Sequence, residues 1–341
     1  MLTSDFDYLL PPEQIAQHPI EPRDRSRLLV MHRDNGRLEH RTFSDLVELL
    51  VPGDVLVAND TRVIPARLMA RKDPSGGKVE LLLLSRVDPL RWEALVKGRR
   101  ADPGQRLIIG EEADQVLGWV EGVTPSGGRL LRFEDLIDDR LEHLGQMPLP
   151  PYIHETLADR ERYQTVYARA QGSVAAPTAG LHFTPELIDR IKDMGVEWVN
   201  VLLHIGLDTF RPVSEERVED HEIHTEYCEL SASAAERLNE ARHEGRRIIA
   251  IGTTSVRVLE TACAGRQAEI LPYSGRTRLF IYPGHTFSVV DAMVTNFHLP
   301  RSSLLMLVSA FAGVANTRRA YDAAVRSGYR FYSFGDSMFI V

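Results

Sequence analysis

Residues able to bind an anion follow a short apolar stretch in the C-terminal half of the chain. After Arg247-Ile-Ile-Ala-Ile come Gly252, Thr253, Thr254 and Ser255, and the run ends at Arg257. This order is typical of a strand, a tight turn and a helix start, where free backbone N–H groups and hydroxyls favour an anionic ligand. The alternative is that Thr254 or Ser255 only caps the helix, and the local sequence supports both equally.

Two histidines stand where an imidazole could act as a general base. His182 lies in the loop 175–184, whose small residues and Thr178 would allow close approach to a ligand. His204 follows a predicted strand and precedes Asp208, which indicates a base with an orienting carboxylate. A purely structural loop and a core histidine bonded to the backbone are the respective alternatives.

Polar residues also follow two other predicted strands. Asn59, Asp60 and Arg62 come directly after the apolar run 54–58, the position at which α/β sheets usually bind ligands. The second group follows a short strand and immediately precedes an apolar helix, and it consists of Asp291, Asn296 and His298. Its alternative interpretation is a loop with a helix cap at Ser302.

A third histidine cluster has the spacing His221-x-x-His224-x-Glu226. It differs from the His-Glu-x-x-His motif of zinc enzymes and has no evident further ligand, so hydrogen bonding or substrate contact is the preferred interpretation. Glycine-rich phosphate loops, the dinucleotide fingerprint and Gly-x-Ser-x-Gly are absent from the sequence.

The predicted elements that carry these residues form a mixed α/β pattern. Helices are predicted at 43–50, 184–195, 232–244 and 255–264, and strands at 197–203, 247–251 and 279–281. Short β-type runs separated by Gly, Pro and Asp turns fill 65–147, which predicts a small antiparallel β-barrel. Because α/β elements resume afterwards, we predict a discontinuous main domain, 1–63 and 148–341, with the barrel inserted at 64–147.

Composition narrows the class of protein. The 341 residues carry a formal net charge of −8, which argues against coating nucleic acid by overall positive charge, so any RNA contact must be local. The two cysteines, Cys228 and Cys263, form no CxxC pair and fit a reducing compartment. The start of the chain lacks signal-peptide character. The uncharged stretch 302–317 is too short to span a bilayer and predicts a buried helix.

The ordered set of these segments resembles one family, the S-adenosylmethionine:tRNA ribosyltransferase-isomerases of queuosine biosynthesis. The match includes the unbroken run Ala-Ala-Pro-Thr-Ala-Gly-Leu-His-Phe and spans nearly the whole chain. Its segments are Phe6–Pro11, Asn59–Leu68, Met147–Tyr152, Tyr163–Ala168, Ala175–Thr184, Gly252–Arg257, Thr295–Pro300 and Gly335-Asp336. Ile205, Asp208 and Ile223 depart from the family pattern, and Asp208 replaces a glycine in a turn.

The resemblance implies a reaction. The ribosyl part of S-adenosylmethionine is transferred to 7-aminomethyl-7-deazaguanine at the tRNA wobble position and isomerised, which yields epoxyqueuosine, adenine and methionine. It also implies a cytoplasmic monomer without a metal and without membrane attachment. An RNA methyltransferase that uses the same cofactor and a non-catalytic RNA-binding protein are the alternatives, and the small-molecule products would separate them.

Roles for the candidate residues follow as hypotheses. A sulfonium acidifies the neighbouring ribose C–H, so His204 or His182 would be the base and Asp60 or Asp291 would orient the ribose hydroxyls. Thr253, Thr254 and Ser255 would hold the methionine carboxylate. The other candidate substrate-binding residues are Asn59, Arg62, Thr178, Gly252, Arg257, Asn296 and His298. Arg62, Arg67, Arg99 and Arg100 are candidates for contact with RNA phosphates or anticodon bases.

Overall fold

A computed structural model describes residues 1–98, 101–111, 114–124, 127–206, 212–263 and 269–341. The strands of this part are β1 Arg27–Met31, β2 Leu38–Thr42, β3 Val55–Asn59, β4 Thr61–Val63, β5 Arg67–Asp73, β6 Lys78–Asp88, β7 Arg91–Lys97, β8 Arg106–Ile109, β9 Val116–Val123, β10 Arg129–Phe133, β11 Gly145–Gln146, β12 Ala170–Ser173, β13 Glu197–Leu203, β14 Glu226–Leu230, β15 Ile248–Ile251, β16 Tyr273–Thr277, β17 Ala292–Asn296 and β18 Ser337–Ile340. The α-helices are α1 Leu46–Leu49, α2 Leu141–Leu144, α3 Pro185–Asp193, α4 Ala232–His243, α5 Gly252–Ala262, α6 Ser303–Ala312 and α7 Val314–Arg326.

The chain forms two compact units. The first contains Met1–Thr61, Pro150–Ala170 and Ala176–Val341, and the second contains Arg62–Leu149 and Gln171–Ala175. The division into domains at 63/64 and 147/148 is retained as a proposal.

A nine-stranded mixed sheet organises the first unit, in the order β16-β14-β13-β3-β15-β17-β18-β1-β2. Strands β13, β3, β15 and β17 run parallel to one another, so their carboxyl ends share one edge. All residues of β3, β15 and β17 are buried, as expected of strands covered on both faces. Helix α3 packs Leu187, Ile188 and Ile191 into a core with residues of these strands.

Six antiparallel strands of the second unit form a closed barrel, in the order β5-β6-β7-β10-β9-β8, and the pairing of β5 with β8 completes it. Burial alternates along β6, where Val79, Leu81 and Leu83 face the barrel core. The predicted mixed α/β fold with an antiparallel barrel is confirmed.

Two local predictions are wrong. The stretch 302–317 contains two helices, because Gly313, at φ +86°, ends α6 and precedes α7. The strand expected at 279–281 is absent among the described residues, and β16 lies earlier in the chain. The Leu279 carbonyl instead accepts a hydrogen bond from Arg257, 3.2 Å away. No helix in the described ranges has both the length and the apolar character needed to cross a membrane.

Candidate active site

A cleft of about 380 Å³ opens in the first unit beside the carboxyl ends of β15 and β17. Three separate segments and two single residues of neighbouring elements build it, because the parallel strands place their following loops at one edge. The lining residues are Ala176, Pro177, Thr178, Ala179, Ile205, Gly252, Thr253, Thr254, Thr295, Asn296, His298 and Leu304.

The start of helix α5 forms one wall of the cleft. Gly252, the first helical residue, has φ +83°, and the preceding Ile251 provides no side-chain cap. The hydroxyl of Thr254 is buried without a hydrogen-bond partner in the described part of the chain. Uncapped N–H groups and this free hydroxyl favour an anion such as a carboxylate. The Ser255 hydroxyl, in contrast, donates to the Ile251 carbonyl at 2.8 Å and is turned away from the cleft.

The opposite wall comes from the end of β17. The side-chain amide of Asn296 donates to the Tyr332 carbonyl at 3.0 Å, while its buried oxygen has no hydrogen-bond partner within the described ranges. The His298 ring hydrogen-bonds the Thr295 hydroxyl at 2.7 Å, and the His298 backbone N–H donates to the Tyr321 hydroxyl at 2.9 Å. Burial lowers the pKa of His298 to about 3, so its ring is neutral at neutral pH.

His182 lies behind this wall. Its Nδ1 is 2.7 Å from the Ser26 hydroxyl, and its ring stacks on Phe43 with the ring centroids 4.9 Å apart. Its Nε2 is buried without a hydrogen bond of normal geometry among the described residues, although the nearby Asn296 side chain acts to raise the pKa of His182. Burial is the larger effect and lowers the pKa of His182 to about 4.

These two buried imidazoles predict acid-sensitive stability. The unfolded chain binds protons at histidine near pH 6.5, whereas folded His182 and His298 titrate at about 4 and 3. Stability is therefore fully present above about pH 6.5 and falls as the pH drops toward 4, because only the unfolded state binds these protons. The Tm of the wild type should fall as the pH is lowered from 7.5 to 5, and the Tm of H182Q should fall less steeply with pH over the same range. The variant H154Q, at an exposed histidine, should keep the wild-type slope; an unchanged slope for H182Q would contradict the assignment.

His204 directly follows β13, and its neighbour Ile205 lines the cleft. Its Nδ1 hydrogen-bonds the Thr61 hydroxyl at 2.8 Å, and its ring stacks on Tyr227 with the ring centroids 5.9 Å apart. Burial lowers the pKa of His204, and the charge of Glu229 partly opposes this effect. The ring is thus a neutral imidazole at neutral pH, which is the form that accepts a proton.

Two other candidates have their polar groups engaged elsewhere. The side-chain oxygen of Asn59 accepts from the Leu203 and Thr61 backbone N–H groups at 3.0 and 3.2 Å, and its nitrogen donates to the Leu203 carbonyl at 2.9 Å. This amide connects β3 to β13 and does not face the cleft. The Asp60 carboxylate accepts from Arg169 at 2.9 Å, so a ribose hydroxyl would have to share that carboxylate.

The structure does not bring Asp291 to the site. Asp291 precedes β17, and its carboxylate accepts from the backbone N–H of Ile248, the first residue of β15. Because β15 and β17 are parallel, Asp291 lies at the amino edge of the sheet and Gly252 and Asn296 at the carboxyl edge. We therefore assign Asp291 no contact with a ligand in the cleft.

Several sequence candidates lie in the second unit or outside the described ranges. Arg62 is in β4 of the second unit, where Arg67 forms an ion pair with Glu80. Asp208, Arg99 and Arg100 fall outside the described residues. No group of three potential metal ligands occurs within the described ranges. In the third histidine cluster, His221 pairs with Glu215 at 2.9 Å and His224 with Glu226 at 3.1 Å.

Three residues beside the site have partners that no sequence pattern indicates. Thr61 orients His204, and the Tyr8 hydroxyl donates to the His298 carbonyl at 2.5 Å. Glu226 forms a buried ion pair with Arg257, 31 positions away in the chain. These residues could be noticed in the sequence only as hydroxyl or carboxylate side chains within the stretches named above. Their partners could not be predicted, because pairing between distant residues leaves no local pattern.

The fold and the cleft define an α/β protein with a candidate small-molecule site at the carboxyl edge of a parallel sheet. A family model described as "Queuosine biosynthesis protein" matches residues 3–340. The chain is 56% identical to the S-adenosylmethionine:tRNA ribosyltransferase-isomerase of Symbiobacterium thermophilum and 53% identical to that of Desulfitobacterium hafniense, over 100% of each chain.

A solved structure is similar as well. The crystal structure of the S-adenosylmethionine tRNA ribosyltransferase from Thermotoga maritima matches with a TM-score of 0.58 and 42% identity, covering 99% of this chain and 100% of that one. The chain therefore belongs to the family of S-adenosylmethionine:tRNA ribosyltransferase-isomerases, the queuosine biosynthesis proteins. The expectation of an enzyme and the family resemblance are both confirmed.

Proposed function

We propose that the chain transfers the ribosyl moiety of S-adenosylmethionine to 7-aminomethyl-7-deazaguanine at the wobble position of tRNA and isomerises it. The products are epoxyqueuosine-tRNA, adenine and methionine. Full-length relatives named for a ribosyltransferase-isomerase that uses S-adenosylmethionine and tRNA support this substrate pair. We also propose that the protein is a cytoplasmic monomer that needs no metal.

The observation that carries the proposal is the cleft between the start of α5 and the end of β17. It combines uncapped helix N–H groups with the Thr254 hydroxyl and the Asn296 oxygen, neither of which has a hydrogen-bond partner of normal geometry among the described residues, and small residues of the loop 176–179 form another wall. The methionine carboxylate fits the positive end of the α5 dipole, where Thr253 and Thr254 provide hydroxyls. The Asn296 oxygen, an acceptor, suits a hydroxyl or ammonium group of the same substrate.

The chemistry needs a neutral base beside the ribose. The positive sulfur of S-adenosylmethionine acidifies the C5′–H bond, and a base that removes this proton leaves a carbanion stabilised by the sulfonium. We assign this role to His204. Its partner Thr61 also faces the Ala170 carbonyl at 3.4 Å; if the hydroxyl donates there, it accepts Nδ1–H and leaves the Nε2 lone pair free. Breaking of the C1′–N9 bond releases adenine, which takes up a proton, breaking of the ribosyl carbon–sulfur bond releases methionine with the bonding pair on sulfur, and the aminomethyl nitrogen of the tRNA base loses a proton as it bonds to the ribosyl unit.

His182 is the weaker candidate for the base. Its Nδ1 faces Ser26 and its Nε2 faces the Asn296 amide, so both ring nitrogens are directed at protein groups. We propose instead that it supports the wall of the cleft formed by Asn296. Asp60, already paired with Arg169, would orient a ribose hydroxyl only through its remaining acceptor capacity.

Product analysis tests the reaction. The enzyme is incubated with S-adenosylmethionine and tRNA that carries 7-aminomethyl-7-deazaguanine, and adenine, methionine and the digested nucleosides are measured by mass spectrometry. We expect one adenine and one methionine per modified nucleoside, with and without a metal chelator. Unmodified tRNA with guanine at the wobble position is the control. S-adenosylhomocysteine as the product would indicate a methyltransferase, and tRNA binding without any product would indicate an RNA-binding protein.

A further inference from the structure

A buried ion pair between Glu226 and Arg257 lies next to the cleft. Glu226, the first residue of β14, is 3% exposed, and Arg257, on α5, is 6% exposed. The Arg257 Nη1 donates to the Glu226 carboxylate. The other carboxylate oxygen accepts from the Gly206 backbone N–H at 2.9 Å and lies 3.1 Å from His224. Glu226 thus connects α5 to the turn that follows His204 and Ile205.

One nitrogen of the guanidinium is left without an acceptor. Arg257 Nε donates to the Leu279 carbonyl at 3.2 Å and Nη1 donates to Glu226, but buried Nη2 has no hydrogen-bond partner among the described residues. A buried, charged donor without a partner is costly, at about 1–3 kcal/mol or more. Such an atom is accounted for when a ligand supplies the acceptor.

The space beside Arg257 indicates which kind of group would fit. Arg257 lines a cavity together with six apolar residues, among them Leu279, Phe280 and Ile281, and with the polar residues His224 and Ser303. Leu304 lines both this cavity and the cleft, so the two spaces adjoin. Mainly apolar and aromatic walls with a few polar groups, the Arg257 donor among them, suit a flat, uncharged heterocycle.

The charges at the two positions indicate which of them binds the carboxylate of the substrate and which binds the uncharged heterocycle. Glu226 neutralises Arg257, and a second carboxylate placed beside the pair would face the negative charge of Glu226. The start of α5, in contrast, has no acidic residue in its first turn. The carboxylate therefore belongs at the helix start, and an uncharged acceptor belongs at Arg257 Nη2.

We propose that Arg257 binds the purine of S-adenosylmethionine, with Nη2 donating to a ring nitrogen, and that Glu226 is the positioning residue that holds the guanidinium in place. This inference rests on the proposed function for the identity of the ligand. It specifies which part of the ligand each end of the site binds, namely the carboxylate at the start of α5 and the purine at Arg257.

The substitution Arg257→Lys tests the donor with little change in charge. Lysine can still pair with Glu226, but it has no second nitrogen to reach the ligand. The probe is S-adenosylhomocysteine, an unreactive molecule with the same purine, and its Kd is measured by titration calorimetry. We expect R257K to raise this Kd by about 10- to 100-fold, as for loss of a hydrogen bond to a charged group, while Tm stays close to wild type.

The matched control is R246K, another arginine paired with a glutamate, in this case Glu197 at the amino end of β13. It should leave the Kd unchanged. A Kd for R257K within twofold of wild type would overturn the inference, and so would a wild-type chain that fails to bind S-adenosylhomocysteine. The product assay tests the reaction separately. If R257K lost binding of S-adenosylhomocysteine but the wild type released no adenine, only the proposed reaction would be rejected.

Glu226 is tested by E226Q and by the double variant E226Q/R257Q. The single change leaves a buried arginine without its counter-ion and should lower both Tm and affinity, whereas removal of both charges should restore Tm. We expect the double variant to remain at least 10-fold weaker in binding S-adenosylhomocysteine than wild type, as for loss of a hydrogen bond to a charged group. If affinity recovered together with Tm, the pair would be only structural and the proposal would be wrong.

Discussion

Replacing His204 by alanine should lower kcat by about 10²- to 10⁴-fold, the usual contribution of a general base, while the affinity for tRNA stays the same. The imidazole is held by Thr61 at 2.8 Å and by stacking on Tyr227, and burial keeps it neutral. Alanine removes the proton acceptor without creating a buried charge, so the fold should persist. Single-turnover rates of adenine release and filter binding of tRNA would measure the two effects.

The pH dependence provides a second measurement of the same role. Because burial lowers the pKa of His204, the base is already deprotonated at neutral pH. The value of kcat/KM in the wild type should therefore be level above pH 7 and should fall only in acid, below the ordinary histidine pKa of about 6.5. The residual activity of H204A should lack this acid limb.

Two comparisons make the His204 result interpretable. The variant H32A removes a histidine that is bonded to Glu39 and follows β1, at the opposite edge of the sheet, and it should retain wild-type turnover. The variant T61V removes the hydroxyl that orients the ring and should reduce kcat less than H204A does. Turnover by H204A within a few-fold of wild type would remove His204 from the mechanism.

Replacing Asn59 by alanine should destabilise the chain by about 3–5 kcal/mol, since it leaves up to three buried backbone groups without partners at about 1–3 kcal/mol each. Those groups are the Leu203 N–H, the Leu203 carbonyl and the Thr61 N–H. The amide is fully buried where β3 and β13 end, so water cannot replace it. Urea unfolding of the variant should show a lower midpoint with an unchanged slope.

A matched control for Asn59 lies on the neighbouring strand. Asn200, on β13, is half-buried and accepts one hydrogen bond from the Trp198 side chain at 2.9 Å. The variant N200A should cost less than about 1 kcal/mol, as is usual for positions that are not fully buried. If N59A unfolded like wild type but bound S-adenosylmethionine more weakly, the residue would belong to the substrate site as first predicted from the sequence.

The sequence was most informative where the signal is local. The α5 start was visible because an apolar strand, a glycine and three hydroxyl residues stand in one run, and the barrel because alternating β-type segments are separated by turn residues. Hydroxyl, amide and imidazole residues at strand ends mark the carboxyl edge of a parallel sheet in any α/β chain. Thr178, Gly252, Thr253, Thr254, Asn296 and His298 do line one cleft there.

Pairing between distant residues was not visible in the sequence. Asp291 and Asn296 flank the same short strand and look equivalent, yet strand direction places them at opposite edges of the sheet. Likewise, Asn59 and Asn296 are both amides at strand ends, but backbone groups bond the oxygen of the first, whereas the oxygen of the second has no hydrogen-bond partner in the described part of the chain.

The sequence by itself determined the fold class, the position of the barrel and the stretches that build the site, because periodicity and turn residues act over a few positions. Only the tertiary structure decided which polar atoms remain available to a ligand. That outcome depends on partners far apart in the chain, such as Glu226 for Arg257 and Thr61 for His204. Burial then set the protonation states, since the cost of charging His182, His204 and His298 arises from the packing around them.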